Sequence, residues 1–157
     1  MIEAVIFDWI GTLHERGIGP YKDAQKTLEA LRRGGIKMSL ISIAKDEEKE
    51  ARNLEIELSG LSDYLDHIII DKIKSPMQYL ACINMMGADI GTTGVADDRT
   101  KRGITIGNEL GCPTFWIKRG EYAHQLPDEE TGQPTYIIST VSEMLPYILN
   151  GESHKKL

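Results

Sequence analysis

The first residue of this chain whose placement points to chemistry is Asp8, which directly follows the apolar run Ala4-Val5-Ile6-Phe7 and precedes Trp9-Ile10-Gly11-Thr12-Leu13. A carboxylate held at a strand end beside a tight glycine turn is fixed in space and can attack an electrophile in line. The competing reading is that Asp8 caps a turn, since Asp and Gly are common there in their own right. Three other places resemble it in position. Ser42 ends the apolar run Leu40-Ile41, Lys74 stands just before Ser75-Pro76 at a helix start, and Asp97-Asp98 follow Gly94-Val95-Ala96. Taken singly, these read as a strand-end serine, a surface lysine and a solvated loop. A helix amino terminus beside Lys74 would add its own positive end to that of the side chain.

These residues matter only if the fold brings them together, and the pattern between them says that it does. Short β-branched runs alternate with stretches of helical periodicity, as in repeated βα units around a parallel sheet. Strands are expected at 4–7, 38–41, 67–70, 92–96, 114–117 and 136–138. The helix after the first strand carries Ala24, Leu28 and Leu31 at helical spacing and stops at Gly34-Gly35. A charged helix over 45–58 carries Ala51, Leu54 and Leu58 at steps of three and four, which predicts that those residues form its buried face. Pro76 suits the first turn of a helix ending near Met86, and a polar helix spans 100–110 with Gly111 as its stop. Residues 120–134 read as an ordered surface loop, and 141–149 as the last helix. The expected fold is α/β, an open, doubly wound parallel sheet of Rossmann type, and such sheets bind ligands at the carboxyl ends of their strands. One domain over residues 1–150 and a tail over 151–157 complete the reading.

Composition narrows the partners. The formal net charge is −6 and no concentrated run of Lys or Arg is present, which argues against nucleic acid. No segment approaches the roughly 20 apolar residues needed to cross a bilayer, and Met1 leads straight into an apparent strand, so no membrane partner and a cytoplasmic location are expected. Cys82 and Cys112 lie far apart, outside any CxxC pair, and read as ordinary buried thiols.

In order and spacing, these motifs resemble those of the haloacid dehalogenase (HAD) superfamily of hydrolases. Asp8-Trp9-Ile10-Gly11-Thr12 is similar to the opening DxDGT motif, Ile41-Ser42 to the second, Lys74-Ser75-Pro76 to the third, and Ala96-Asp97-Asp98 to the fourth. The resemblance implies that Asp8 is the nucleophile that takes a phosphoryl group and also a magnesium ligand. It implies that Gly11, Thr12, the Ser42 hydroxyl and Lys74 contact the phosphate, with Lys72 the alternative lysine. Asp97 or Asp98, together with the main chain at Ile10, would complete the Mg2+ shell. The family's later acidic residue falls on Gly103, so that ligand is missing.

A second departure bears on function. The family's second aspartate, which protonates the leaving group and later activates water, is Ile10 here, and isoleucine cannot carry a proton. The expectation is therefore a magnesium-dependent phosphatase working through an aspartyl-phosphate on Asp8 and slowed by Ile10. The alternative is a catalytically degenerate phosphate-binding or regulatory module. Phosphonate-cleaving and dehalogenase relatives also lack that aspartate, but they carry a cap domain. Here neither the segment after Thr12 nor the one before Lys74 has room for a cap. An open, capless site goes with a large or macromolecular phosphorylated substrate, or with closure by a homo-oligomer. His14 could substitute as the proton carrier, the plainer reading being an exposed loop histidine. Trp9 reads as packing. Arg99, Lys101 and Arg102 read as a solvated helix start that could also attract an anion.

Overall fold

The apolar run at the start of the chain forms β1 (Ala4–Phe7), buried along its whole length. Such strands occur in parallel sheets covered on both faces. Alternation along β1 sends Val5 and Phe7 to one core and Ala4 and Ile6 to the other. A computed structural model describes residues 1–151; the rest of the expected tail lies outside the described residues.

The first core lies under α1 (Ala24–Arg33), where Leu28 and Leu31 are fully buried. Removing each from water contributes about 1.5–3 kcal/mol. The same core takes in Phe115, Val141, Met144 and Ile148. The second core lies under α3 (Pro76–Met85) and includes Tyr79, Cys82 and Ile83. Both cysteines are free and buried.

Between β1 and α1 a small hairpin forms, β2 (His14–Glu15) against β3 (Gly19–Pro20). The sequence showed its turn residues but not the pairing. The other strands are β4 (Lys37–Ile43), β5 (His67–Asp71), β6 (Thr93–Asp97), β7 (Thr114–Ile117) and β8 (Tyr136–Ile138). They form one parallel six-stranded sheet in the order β5-β4-β1-β6-β7-β8. The chain builds outward from β1 in one direction, then returns to build in the other, so the crevice at the carboxyl ends of β1, β4 and β6 is the topological switch point. No separate cap is present among the described residues, and no helix among them is long and apolar enough to cross a membrane.

One expectation fails in α2 (Lys49–Leu58), which follows a single 3-10 turn at Asp46–Glu48. Ala51, Leu54 and Leu58 face outward, with Leu58 77% exposed, and the buried residue is Ile56. The face turned inward also carries Arg52 and Glu55. Helical period identifies two faces, but here polar bonds to the strand ends decide which one packs.

Candidate active site

Asp8 is the first residue beyond β1. Its N–H donates to the carbonyl of Ala96 at 3.0 Å, which ties it to the end of β6. The chain then turns tightly. The N–H groups of Thr12, Leu13 and His14 all donate to the Trp9 carbonyl, and that of Gly11 donates to His14 at 2.9 Å. Gly11 is required twice over in this turn. Its φ is +87°, which L side chains rarely adopt, and a Cβ there would overlap the Asp98 carboxylate. The Thr12 hydroxyl lies 3.4 Å from Asp8 Oδ2 and donates to it.

α3 brings in the cation. Ser75 caps this helix in a reciprocal box with Gln78, and Pro76 occupies the first turn. Just ahead of the cap, Lys74 Nζ reaches Asp8 Oδ1 at 2.7 Å and Asp97 Oδ2 at 2.9 Å. Lys72 instead pairs with Asp46 at the surface, so the structure brings Lys74, not Lys72, to Asp8. Burial alone would lower the Lys74 ammonium, but the two flanking carboxylates hold it well above the usual lysine range.

Asp97 and Asp98 close the far side, both buried. Every oxygen of Asp97 has a partner. Oδ1 accepts from the Arg99 N–H at 2.9 Å, and Oδ2 accepts from Lys74 and from the Gly103 N–H at 3.0 Å. Burial pushes Asp97 upward, but the Lys74 charge and these hydrogen bonds outweigh it and hold the carboxyl below its usual range. Asp98 differs, because its Oδ1 is buried without a hydrogen-bond partner. Burial and the charges of Asp8 and Asp97 push its pKa up to about 9. Burial, followed by the Asp97 charge, likewise raises Asp8 above the ordinary carboxylate range. Gly103 carries no side chain because any Cβ there would overlap Asp97. The position lies in a π-helical turn, Thr100–Ile104, that wraps the Asp97 carboxylate with backbone N–H.

Oxygens of Asp8, Asp97 and Asp98 lie within 4.8 Å of one another. Three carboxylates around one ammonium leave the cluster short of positive charge. The buried Asp98 Oδ1, with no hydrogen-bond partner among the described residues, is an oxygen such an ion could take. The donor set therefore fits a hard divalent ion, with Asp98 offering the free oxygen.

On the other side of Asp8 a cleft opens, lined by Ser42, Ile10 and the guanidiniums of Arg16, Arg52, Arg99 and Arg102. Arg52 donates to Ser42 Oγ at 2.6 Å and to the Ile43 carbonyl at 2.8 Å. It pairs with Glu55, which also accepts from Trp9 Nε1 at 2.7 Å. Arg99 stacks over Tyr122 at 3.9 Å. Arg16 arrives on the turn of the β2–β3 hairpin. Arg119 locks the loop after Asp8 by donating to the Thr12 carbonyl at 2.8 Å while lying 3.4 Å over Tyr21.

The structure thus gathers Asp8, Ile10, Gly11, Thr12, Ser42, Lys74, Asp97 and Asp98 around one strand-end crevice. Trp9 is fully buried. His14 is not an exposed loop residue: it is 6% exposed and stacks on Trp9 with centroids 5.1 Å apart, because it is a strand residue of the unforeseen hairpin, paired with Pro20. Sequence reading missed Arg16 and Arg52. The i, i+3 pairing of Arg52 with Glu55 was the available signal for the second.

No family model matches this sequence. No curated protein matches it either. Solved structures do. An uncharacterized protein from Listeria monocytogenes serotype 4b superposes over 95% of this chain and 98% of that one, with a TM-score of 0.73 at 17% identity. The L-2-haloacid dehalogenase from Xanthobacter autotrophicus, solved with chloropropionic acid covalently bound, covers 98% of this chain and 100% of its own, with a TM-score of 0.75 at 13% identity. A HAD phosphatase from Thermococcus onnurineus matches 86% of this chain, which spans 60% of it, with a TM-score of 0.67 at 28% identity. With Asp8 at the switch point of a parallel sheet of matching shape, the chain has the fold of the HAD-like hydrolases.

Proposed function

We propose that this protein is a magnesium-dependent HAD-type phosphohydrolase that forms an aspartyl-phosphate on Asp8. One observation carries the reading: Asp8 is held by Lys74 on one side and opens on the other to a cleft lined by Ser42 and guanidinium groups. An Asp8 oxygen attacks phosphorus in line with the leaving oxygen, whose bond to phosphorus breaks and which takes the electron pair. Lys74 and the Ser42 hydroxyl offset charge on the phosphoryl oxygens. Water then attacks the aspartyl-phosphate, releasing phosphate and regenerating the Asp8 carboxylate. Magnesium would be held by Asp8, Asp97 or Asp98 and the main chain at Ile10, and would supply further charge neutralisation.

Ile10 lines the cleft where a proton carrier is needed. The leaving group must depart as a stable anion, so acyl and aryl phosphates suit the site and alkyl phosphates do not. A cytoplasmic location accords with two free thiols.

Acetyl phosphate and p-nitrophenyl phosphate, each with and without Mg2+, test the proposal on the parent, Asp8→Asn and Ile10→Asp. The parent should turn over acetyl phosphate with Mg2+, Asp8→Asn should abolish this, and Ile10→Asp should extend activity to poorer leaving groups by ~10² to 10⁴ in rate. An inactive parent rescued by Ile10→Asp would establish a degenerate phosphate-binding module instead. Halide also departs without a proton, so the lack of an acid at Ile10 equally suits carbon–halogen cleavage. Metal-independent chloride release from 2-chloropropionate would replace the phosphatase reading with that one.

A further inference from the structure

We propose that the ligand of this site is a small molecule with two anionic groups, one placed at Asp8 and the other bound by Arg16, Arg99 and Arg102. This rests on the reading of Asp8 as the phosphoryl acceptor and names the substrate class. Four guanidiniums line the cleft beside Asp8 in a chain of net charge −6, so their convergence is not a reflection of composition. One of the four is accounted for, since Arg52 is tied to Glu55, Ser42 and the Ile43 carbonyl. The other three pair with no carboxylate among the described residues. Arg99 lies over Tyr122, its Cζ 3.9 Å from the ring centroid, and its Nε is buried with no hydrogen-bond partner among the described residues. Asp8, the acid that does line the cleft, is paired with Lys74.

A single phosphoryl group at Asp8 has Lys74 and Ser42 for its oxygens and leaves three guanidiniums unanswered. Forked donors of this kind match a second phosphate or a carboxylate. Concentration in one cleft favours a compact polyanion. A polynucleotide needs a basic track along its backbone, and the remaining surface of this acidic chain has no such run. The macromolecular substrate that an open site would admit is therefore the less suited occupant.

Calorimetric titration without divalent cations tests this on the whole chain, using methylphosphonate and methylenebisphosphonate, neither of which can be turned over by cleavage of a P–O ester bond. The parent should bind the bisphosphonate about tenfold more tightly or better, and Arg16→Ala or Arg102→Ala should each erase most of that margin. Equal affinity for the two ligands overturns the inference, as does a preference that survives the double variant Arg16→Ala, Arg102→Ala. A 5′-phosphorylated oligonucleotide binding as tightly as the bisphosphonate overturns the small-molecule assignment. The margin present without turnover of acetyl phosphate or p-nitrophenyl phosphate in Mg2+ leaves the inference standing and removes the phosphohydrolase reading; turnover without the margin does the reverse.

Discussion

Two charged regions meet at Asp8, unbalanced in opposite senses. Toward β6, three carboxylates surround a single ammonium, withdrawn from solvent. Toward α2 and the hairpin, four guanidiniums share a cleft in which one, Arg52, has a carboxylate partner. Interleaving the two sets would satisfy both. Keeping them apart holds like charges together, and on the acidic side it does so in poorly hydrated surroundings, which lowers stability. Local rules broken in this way, side by side, accord with the proposed site, in which a cation would meet the carboxylates and an anion the guanidiniums.

Removing the single cation from the acidic side should have the largest effect. Lys74→Met leaves Asp8 and Asp97 without their shared partner, and urea denaturation in the absence of divalent ions should show a loss of about 3–5 kcal/mol. Added Mg2+ should recover part of it. A loss no larger than that of an ordinary surface substitution would mean that the cluster is not the strained half of the pair. Gly11→Ala comes next. It combines a φ of +87° with overlap of the Asp98 carboxylate, and strain of this kind costs on the order of 1–3 kcal/mol. Its thermal midpoint should fall, and the rise in midpoint produced by Mg2+ should shrink, because the displaced carboxylate is the one with the free oxygen.

The acidic half was far more legible in the sequence than the basic half, for a physical reason. Asp8, Ser42, Lys74 and Asp97-Asp98 stand at strand ends or a helix start, so a correct alternation of elements places them together without any knowledge of side-chain direction. The choice between Lys72 and Lys74 needed coordinates, because two residues along an irregular segment separate opposite sides of the chain. The arginines come from a hairpin turn, a helix face and a π turn. None of these has a sequence period that fixes orientation. Arg52 was hidden by the same error that turned α2 round: Ala51, Leu54 and Leu58 form the more apolar stripe, yet the helix packs by Ile56 and polar bonds to Ser42 and Trp9 through Arg52 and Glu55. His14 was misplaced because a two-residue pairing leaves almost no pattern.

A pH titration sharpens the contrast with a smaller effect per unit. Asp98 holds its proton to about pH 9 in the folded chain, against 3.8 for an unperturbed aspartate. Between those values the folded state binds more protons than the unfolded one, so stability must fall as pH rises, by at most about 1.4 kcal/mol per unit for each carboxyl so raised. Asp8, also raised, acts in the same direction; Asp97, lowered, is ionised in both states across this range and adds no slope. Denaturation midpoints should therefore decline from pH 5 to pH 9 in chelator. Asp98→Asn should flatten the decline. Mg2+ should flatten it too, because it competes with the proton for the same oxygens and binds more tightly as pH rises. A midpoint that rises over this range would contradict the assignment of an excess buried negative charge.

The smallest stability effect belongs to the basic half, and its smallness is the point. Arg16 is exposed on the hairpin turn and has no ion pair among the described residues, so Arg16→Ala should change folding free energy by no more than about 0.5 kcal/mol. If the cleft behaves as a self-repelling cationic cluster, the change should be a slight gain that fades as salt is added, since screening removes repulsion between exposed charges. A clear loss of stability would show that Arg16 is held by the fold. That would remove the expected asymmetry with Lys74, in which the fold depends on the cation of the acidic side and not on the guanidiniums of the cleft.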